Sequence, residues 1–257
     1  GQIQGLAQAG GVLKAIYEPD ASRIESVLKK HPDAKVVQDF REILDDDVYP
    51  VEFPYHAPKG NAIYLALDFA KEGIIDEEHR TLNAPGFFQN MSDPERILDF
   101  DWPDPAEHIN IDECKAVVEN VMPDRAVLGV IWSSFFQDAW AAFGMENACI
   151  QMMMAPDMFR GIVEKCVDFY LRANDIFFEA TKGKLDAVLI GNDLGSQSGL
   201  MLSPELIREF VLPGTRQLVA QAKTRGYKVI HHSCGAVREI IPDLIDKIKQ
   251  SGAKIVE

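Results

Sequence analysis

Three short runs limit what this chain can fold into: the apolar Ala126 to Trp132 and Ala187 to Ile190, and Lys228 to His231 around Val229 and Ile230. Each is too short for a helix, and each runs into glycine or polar residues. The stretches around them have helical spacing, with apolar residues recurring at three and four: Glu146 to Met154, Pro156 to Thr181, Pro204 to Arg225 behind a Ser203 cap, and Val237 to Gln250. Strands joined through helices run parallel, and continuously apolar strands are buried on both faces. The pattern predicts an α/β chain whose parallel sheet is covered by helices.

The opening has the same rhythm on a smaller scale. Val12 to Tyr17 is strand-like, Ala21 to Lys30 is helical behind Asp20, and Ala34 to Val37 is strand-like again, which reads as β-α-β. Residues 45 to 60 then turn rich in Asp and Pro (Asp45, Asp46, Asp47, Pro50, Pro54, Pro58). This shift divides the chain into an N-terminal β-α-β segment over 1–50 and a larger domain over 51–257. Asn61 to Ala70 has helical spacing, Thr81 to Gln89 is irregular, and Trp102-Pro103-Asp104-Pro105 stops any helix.

Charge narrows the function classes. Lys and Arg number 26 against 40 Asp and Glu, a net charge of −14, which repels phosphate backbones and anionic membranes. Neither nucleic acid nor a membrane is an expected partner. Four irregularly spaced cysteines, Cys114, Cys149, Cys166 and Cys234, do not form a disulfide framework in a chain of this length. The cytoplasm is the expected location. The start lacks the basic flank and apolar stretch of a signal peptide, and Gly1 in place of Met points to sequence ahead of it.

In parallel α/β folds the chemistry gathers at the carboxyl ends of strands. Three such ends are visible: Trp132-Ser133-Ser134-Phe135-Phe136, Gly191-Asn192-Asp193-Leu194-Gly195-Ser196-Gln197, and His231-His232-Ser233-Cys234-Gly235. His232 and Cys234 leave a strand into a glycine turn, and their imidazole and thiolate suit one zinc ion. The competing reading is a buried cysteine beside a hydrogen-bonded histidine. His231 alternates to the other face of its strand, as a packing residue or one behind the ligands.

Asp193 is the candidate catalytic carboxylate, able to bind substrate, orient a metal-bound group or act as a base, or else an ordinary turn residue. Gln197, Asn192 and Trp132 are candidates for substrate contact, and Trp132 and Phe135 for the walls of a pocket or for core. The run Met152-Met153-Met154 reads as adaptable packing, and Asp76-Glu77-Glu78 as a solvated face.

From about Thr81 to Asp246 the sequence resembles the uroporphyrinogen decarboxylase superfamily, in particular its methyltransferase-like branch. The resemblance rests on Phe100-Asp-Trp-Pro-Asp-Pro105, the strand entering Trp132-Ser-Ser, the long helix from Pro156, Gly191-Asn-Asp-Leu-Gly-Ser-Gln197, Ser203-Pro-Glu-Leu206 and Val229-Ile-His-His-Ser-Cys-Gly235 leading to Ile240-Ile-Pro-Asp-Leu-Ile245. It implies a (β/α)8 TIM-like barrel with its site at the carboxyl-end face, and zinc held by His232 and Cys234. In that branch the zinc makes a thiolate available to attack a methyl group carried on a corrinoid cobalt.

The implied reaction is methyl transfer between a corrinoid and a thiol. Its partners would be a small thiol or methylated substrate and a corrinoid protein, with a homodimer as the further association. A third zinc ligand is needed, commonly a late cysteine, and none follows Cys234. A closed barrel takes about 250 residues, whereas only about 170 to 200 look barrel-like here, so the barrel is expected to be incomplete.

Two alternatives stand beside this reading. One is decarboxylation of a polycarboxylated tetrapyrrole with Asp193 stabilising a protonated pyrrole, although the decarboxylase's Arg-Gln-Ala-Gly-Arg-Tyr motif is missing. The other is an inactive or truncated barrel that serves as a binding module. Separately, Gly11 to Asp20 with Pro32 to Val37 and Phe40 to Leu44 resembles part of the nucleotide-binding domain of the glucose-fructose oxidoreductase and inositol dehydrogenase family. That likeness would place Glu18 on the ribose of NAD, without the glycine-rich loop that holds the pyrophosphate.

Overall fold

The computed structural model describes residues 15–16, 21–37, 48–56, 67–69, 81–119, 121 and 125–250. Glu18, Asp20, the acidic runs 45–47 and 76–78, most of the stretch 61–70 and residues 251–257 lie outside the described residues. Two compact units divide the chain, Gly1–Tyr49 with Met122–Arg125, and Pro50–Val121 with Ala126–Glu257. In the first, β1 (Ala15–Ile16) and β2 (Lys35–Val36) pair in parallel, Ala15 opposite Lys35, with α1 (Ala21–Leu28) between them in sequence. This is the expected β-α-β, and Ala34 and Val37 are buried beside its second strand.

The main sheet has the order β3-β4-β5-β6, from β3 (Val48–Glu52), β4 (Ala126–Trp132), β5 (Ala187–Gly191) and β6 (Lys228–His232). The last three are parallel, and Ala187 lies opposite both Leu128 and Lys228. Helix α2 (Ile111–Ala116) precedes β4. Helices α3 (Phe135–Phe143), α4 (Met145–Met154) and α5 (Pro156–Ala180) join β4 to β5. Helices α6 (Pro204–Phe210) and α7 (Leu212–Thr224) join β5 to β6, and α8 (Ile241–Gln250) follows. The class is α/β, and the parallel sheet is not closed among the described residues.

The strands are not buried evenly on both faces as their composition predicts. Val127, Ile131, Val188 and Ile190 are buried, while on the alternate face Trp132 is 44% and Ile230 47% exposed. Successive side chains of a strand point to opposite faces, so helices cover one side of this sheet and leave the other more open.

Helix α3 has no counterpart in the sequence reading. All nine of its residues are buried; seven are apolar, and the two polar ones, Gln137 and Asp138, are hydrogen-bonded, Gln137 to Asp193 O and Asp138 to Leu67 N–H and Tyr170 Oη. Phe135 belongs to its first turn and is fully buried, so it is core rather than a pocket wall. The single helix expected from Pro204 to Arg225 breaks at Val211. Pro213, two residues into α7, has no N–H to continue the ladder from α6. The last helix starts at Ile241 rather than Val237, with Pro242 in its first turn. Of the methionine run, Met152 is buried, whereas Met153 and Met154 are 68% and 78% exposed, so packing describes Met152 alone.

The Phe100 to Pro105 motif proves architectural. Phe100 and Trp102 join Phe69 and Phe88 in an aromatic cluster, with ring centroids 4.7 to 6.3 Å apart. Trp102 Nε1 donates to Ile97 O at 2.9 Å, and Asp104 pairs with Arg172 of α5 at 2.8 Å. Among the described residues no helix is long and apolar enough to cross a membrane.

Candidate metal centre

Two loops build the centre, one after β5 and one after β6. Gly191 and His232 lie opposite each other at the strand ends, so the residues that follow emerge side by side. The loops are then stitched together. Gly195 N–H donates to Cys234 O (3.2 Å), Ala236 N–H to Ser196 O (2.8 Å), and Leu194 N–H to Ser233 Oγ (3.0 Å). A Cβ on Gly195 would lie 2.7 Å from Ala236 N and 2.8 Å from Gly235 C, and Gly235 sits at φ +81° against the Gly195 backbone. Glycine is required at both positions because the two backbones touch there.

This stitching gathers three donors. Asp193 Oδ1 accepts from Cys234 N–H at 2.9 Å and lies 3.5 Å from His232 Nε2, which is 3.2 Å from Cys234 Sγ. One ligand atom from each of Asp193, His232 and Cys234 falls within 4.8 Å of the others. Ideal tetrahedral zinc with ordinary bond lengths separates nitrogen from sulfur by about 3.5 Å, and nitrogen from oxygen by about 3.3 Å. The distances from His232 Nε2 to the sulfur and to the carboxylate oxygen, 3.2 and 3.5 Å, therefore match the spacing one zinc ion requires. His232 and Asp193 are 38% and 45% exposed and Cys234 is also exposed, which leaves the group open to an incoming molecule.

The Asp193 carboxylate raises the Cys234 thiol above its ordinary range, first through a hydrogen bond, with burial and the carboxylate's charge adding. A carboxylate and a thiolate this close repel each other unless a cation stands between them. His231 does point the other way from His232. Burial, with the neighbouring His232, pushes its imidazole down to about 4, and its Nε2 is buried without a partner.

Of the other candidates, Trp132 stands at the group and Asn192 does not. Trp132 meets His232 edge-on, with ring centroids 5.4 Å apart and planes at 88°. Asn192 is 3% exposed, and its Oδ1 accepts from Phe136 N–H at 2.9 Å, so its side chain caps the start of α3 rather than reaching outward. Gln197 is exposed on the loop after β5, and Cys114 and Cys166 are buried away from the group.

The sequence reading missed Gln137, which donates from Nε2 to Asp193 O at 3.2 Å and fixes the backbone of that loop. It also missed the turn at the end of β4. Pairing with β5 slips between Val130 and Trp132, and Trp132 and Ser133 then take φ of +48° and +55°. Left-handed backbone costs a residue with a side chain about 1–2 kcal/mol. No local signal in Trp-Ser-Ser announces that conformation.

The profile of the family described as Uroporphyrinogen decarboxylase (URO-D) matches residues 78–257, which include the whole centre. The chain belongs to the uroporphyrinogen decarboxylase family. Its domain fold is a TIM barrel, and in the URO-D part of this chain β4, β5 and β6 form an open arc of parallel strands with the donors at their carboxyl ends. No curated protein matches the sequence. Among solved structures the chain is similar to a methyltransferase from Methanosarcina mazei, at 18% identity and a TM-score of 0.47, over 57% of this chain and 42% of that one. This chain thus spans less than half of that protein's length. The URO-D match does not extend to the first 50 residues, and the oxidoreductase resemblance read there is not shown.

Proposed function

We propose that this member of the uroporphyrinogen decarboxylase family is a zinc-dependent methyltransferase that moves a methyl group between a corrinoid and a thiol. The observation that carries the reading is the convergence of Asp193, His232 and Cys234 within 4.8 Å at an open strand end. Asp193 supplies the third donor that the cysteines do not. Zinc bound there would lower the pKa of an external thiol and so make a thiolate available near neutral pH.

The chain's own groups then have distinct tasks. His232 and Cys234 would hold the ion from one loop and Asp193 from the other, with the loop contact fixing the ligand spacing, and Cys234 would ligate as the thiolate. Trp132 borders the approach to the donors, and Gln197, exposed on the neighbouring loop, is available to a polar group of the substrate. The corrinoid would arrive on a separate protein, and the exposed side of the donor group is where it would meet the thiol.

Decarboxylation is the second reading, favoured by the family match itself. It needs no metal, and it leaves a thiol beside the carboxylate without a task.

Elemental analysis separates the two. About one zinc per chain is expected in the parent, and none in a His232→Ala/Cys234→Ala variant prepared identically. Equal zinc in both, or none in either, would remove the methyltransferase reading. Product from uroporphyrinogen in the metal-free parent would establish the decarboxylase.

A further inference from the structure

The end of β4 is built at a cost that the sheet does not require. Trp132 and Ser133 occupy positive φ in succession, neither is glycine, and Ser133 N–H turns back onto Ile131 O at 2.5 Å. Strain of this kind persists only where the surroundings over-determine it. Here the surroundings are polar, buried and specific. Ser133 is fully buried, and its Oγ faces the carboxamide of Asn174, donating to Oδ1 at 3.4 Å and accepting from Nδ2 at 3.2 Å. Asn174, on α5 and 1% exposed, also donates to Gln221 Oε1 on α7 (3.4 Å), and Gln221 Nε2 donates to Leu171 O at 2.6 Å. One helix thus holds the hydroxyl, and a second braces the carboxamide that holds it.

The strained turn brings the large side chain just before that hydroxyl to the donors. Trp132 remains 44% exposed and stands perpendicular to the His232 ring. Exposure alone does not single it out, since Ile230 on the same face is 47% exposed; its edge-on contact with the His232 ring beside the donors does.

We propose that Trp132 is a specificity-determining wall of the metal centre, limiting the bulk of the thiol admitted, and that Ser133, Asn174 and Gln221 are positioning residues that hold it there through the strained turn. The inference rests on the metal-centre reading and adds a size limit on its substrate class. A rigid indole beside the ligands leaves room for an unbranched thiol and collides with one branched at the carbon that carries sulfur. A mobile indole would discriminate little.

The test has two arms. In metal-free protein, near-ultraviolet circular dichroism of the parent minus that of Trp132→Phe isolates the signal of the Trp132 indole. Ser133→Gly, which tolerates positive φ and lacks the clamped hydroxyl, is expected to lose that signal while the remaining aromatic spectrum persists. Asn174→Leu should do the same, and Ser133→Gly decides if that variant does not fold.

In protein loaded with Co2+ alone, ethanethiol and tert-butanethiol are titrated by the thiolate-to-cobalt absorption. The parent should prefer ethanethiol by about tenfold or more, a preference that falls to about twofold in Trp132→Ala and shrinks in Ser133→Gly, with Co2+ affinity retained. Unchanged dichroism and unchanged preference in these variants would overturn the proposal. Absence of any cobalt absorption in the parent would overturn the metal reading and the size limit with it, while the dichroism still decides whether the turn fixes the indole.

Discussion

Asp138 lies fully buried in the first turn of α3, and a carboxylate there is tolerable only if its oxygens are occupied. Leu67 N–H donates to Oδ1 at 3.0 Å and Tyr170 Oη to Oδ2 at 2.5 Å, which ties α5 and the segment at residue 67 to α3. Burial raises the Tyr170 phenol well above its ordinary range, and the Asp138 charge adds to this. Tyr55 is raised in the same sense, again mainly by burial. Because the folded pKa lies above the unfolded one, the stability linked to the phenol is intact below about pH 10 and is lost as pH rises further. Tyr170→Phe should destabilise the protein by about 1–3 kcal/mol at neutral pH, and its denaturant midpoint should fall less steeply than the parent's above pH 10. Urea titrations at pH 7, 9 and 10.5 measure both effects, and a parallel fall in the two proteins would contradict the linkage.

At the scale of elements, the join between the β5 and β6 loops is the most sensitive part of the centre. Gly235→Ala puts a Cβ against the Gly195 backbone and also places alanine at φ +81°, so a loss of about 1–3 kcal/mol is expected. Zinc affinity should weaken with it, since the donors come from both sides of the join. Gly199 has open space around its Cβ position, and Gly199→Ala should leave both melting and zinc binding near the parent's. Differential scanning and competitive zinc titration of the pair check this.

The strands β4, β5 and β6 were legible because a short apolar run bounded by polar residues has few other uses, and His232 with Cys234 because their types and spacing suit one ion. Asp193 was visible as chemistry but not as a partner of that pair, since only the parallel register brings residue 193 beside 234. Helix α3 escaped because nothing local in Gln137 and Asp138 announces that they are buried along with the seven apolar residues around them. The Ser133–Asn174–Gln221 clamp escaped because its members lie 41 and 47 residues apart and have no motif between them.

For the molecule as a whole, metal binding and folding stability should be one measurement. A ligand that binds only the native chain stabilises it by about 2.7 kcal/mol at one hundred times its dissociation constant. In a chain of this size that corresponds to a rise in Tm of about 5–10 °C. Zinc should give this rise in the parent and a chelator should abolish it, while the His232→Ala/Cys234→Ala variant should melt at one temperature under both conditions. A shift shared by parent and variant would place the effect elsewhere on an acidic surface of net charge −14.

The stitching of the two loops also bears on time. Gly195 N–H to Cys234 O and Ala236 N–H to Ser196 O must break before the loops can part, and they stand next to one another. An ion seated among Asp193, His232 and Cys234 would therefore leave by rotation of those side chains one after another, over a backbone that stays closed. Exchange with free zinc would follow the rate of the slowest side chain rather than the breathing of the sheet, so a centre open to solvent can still hold its ion for a long residence.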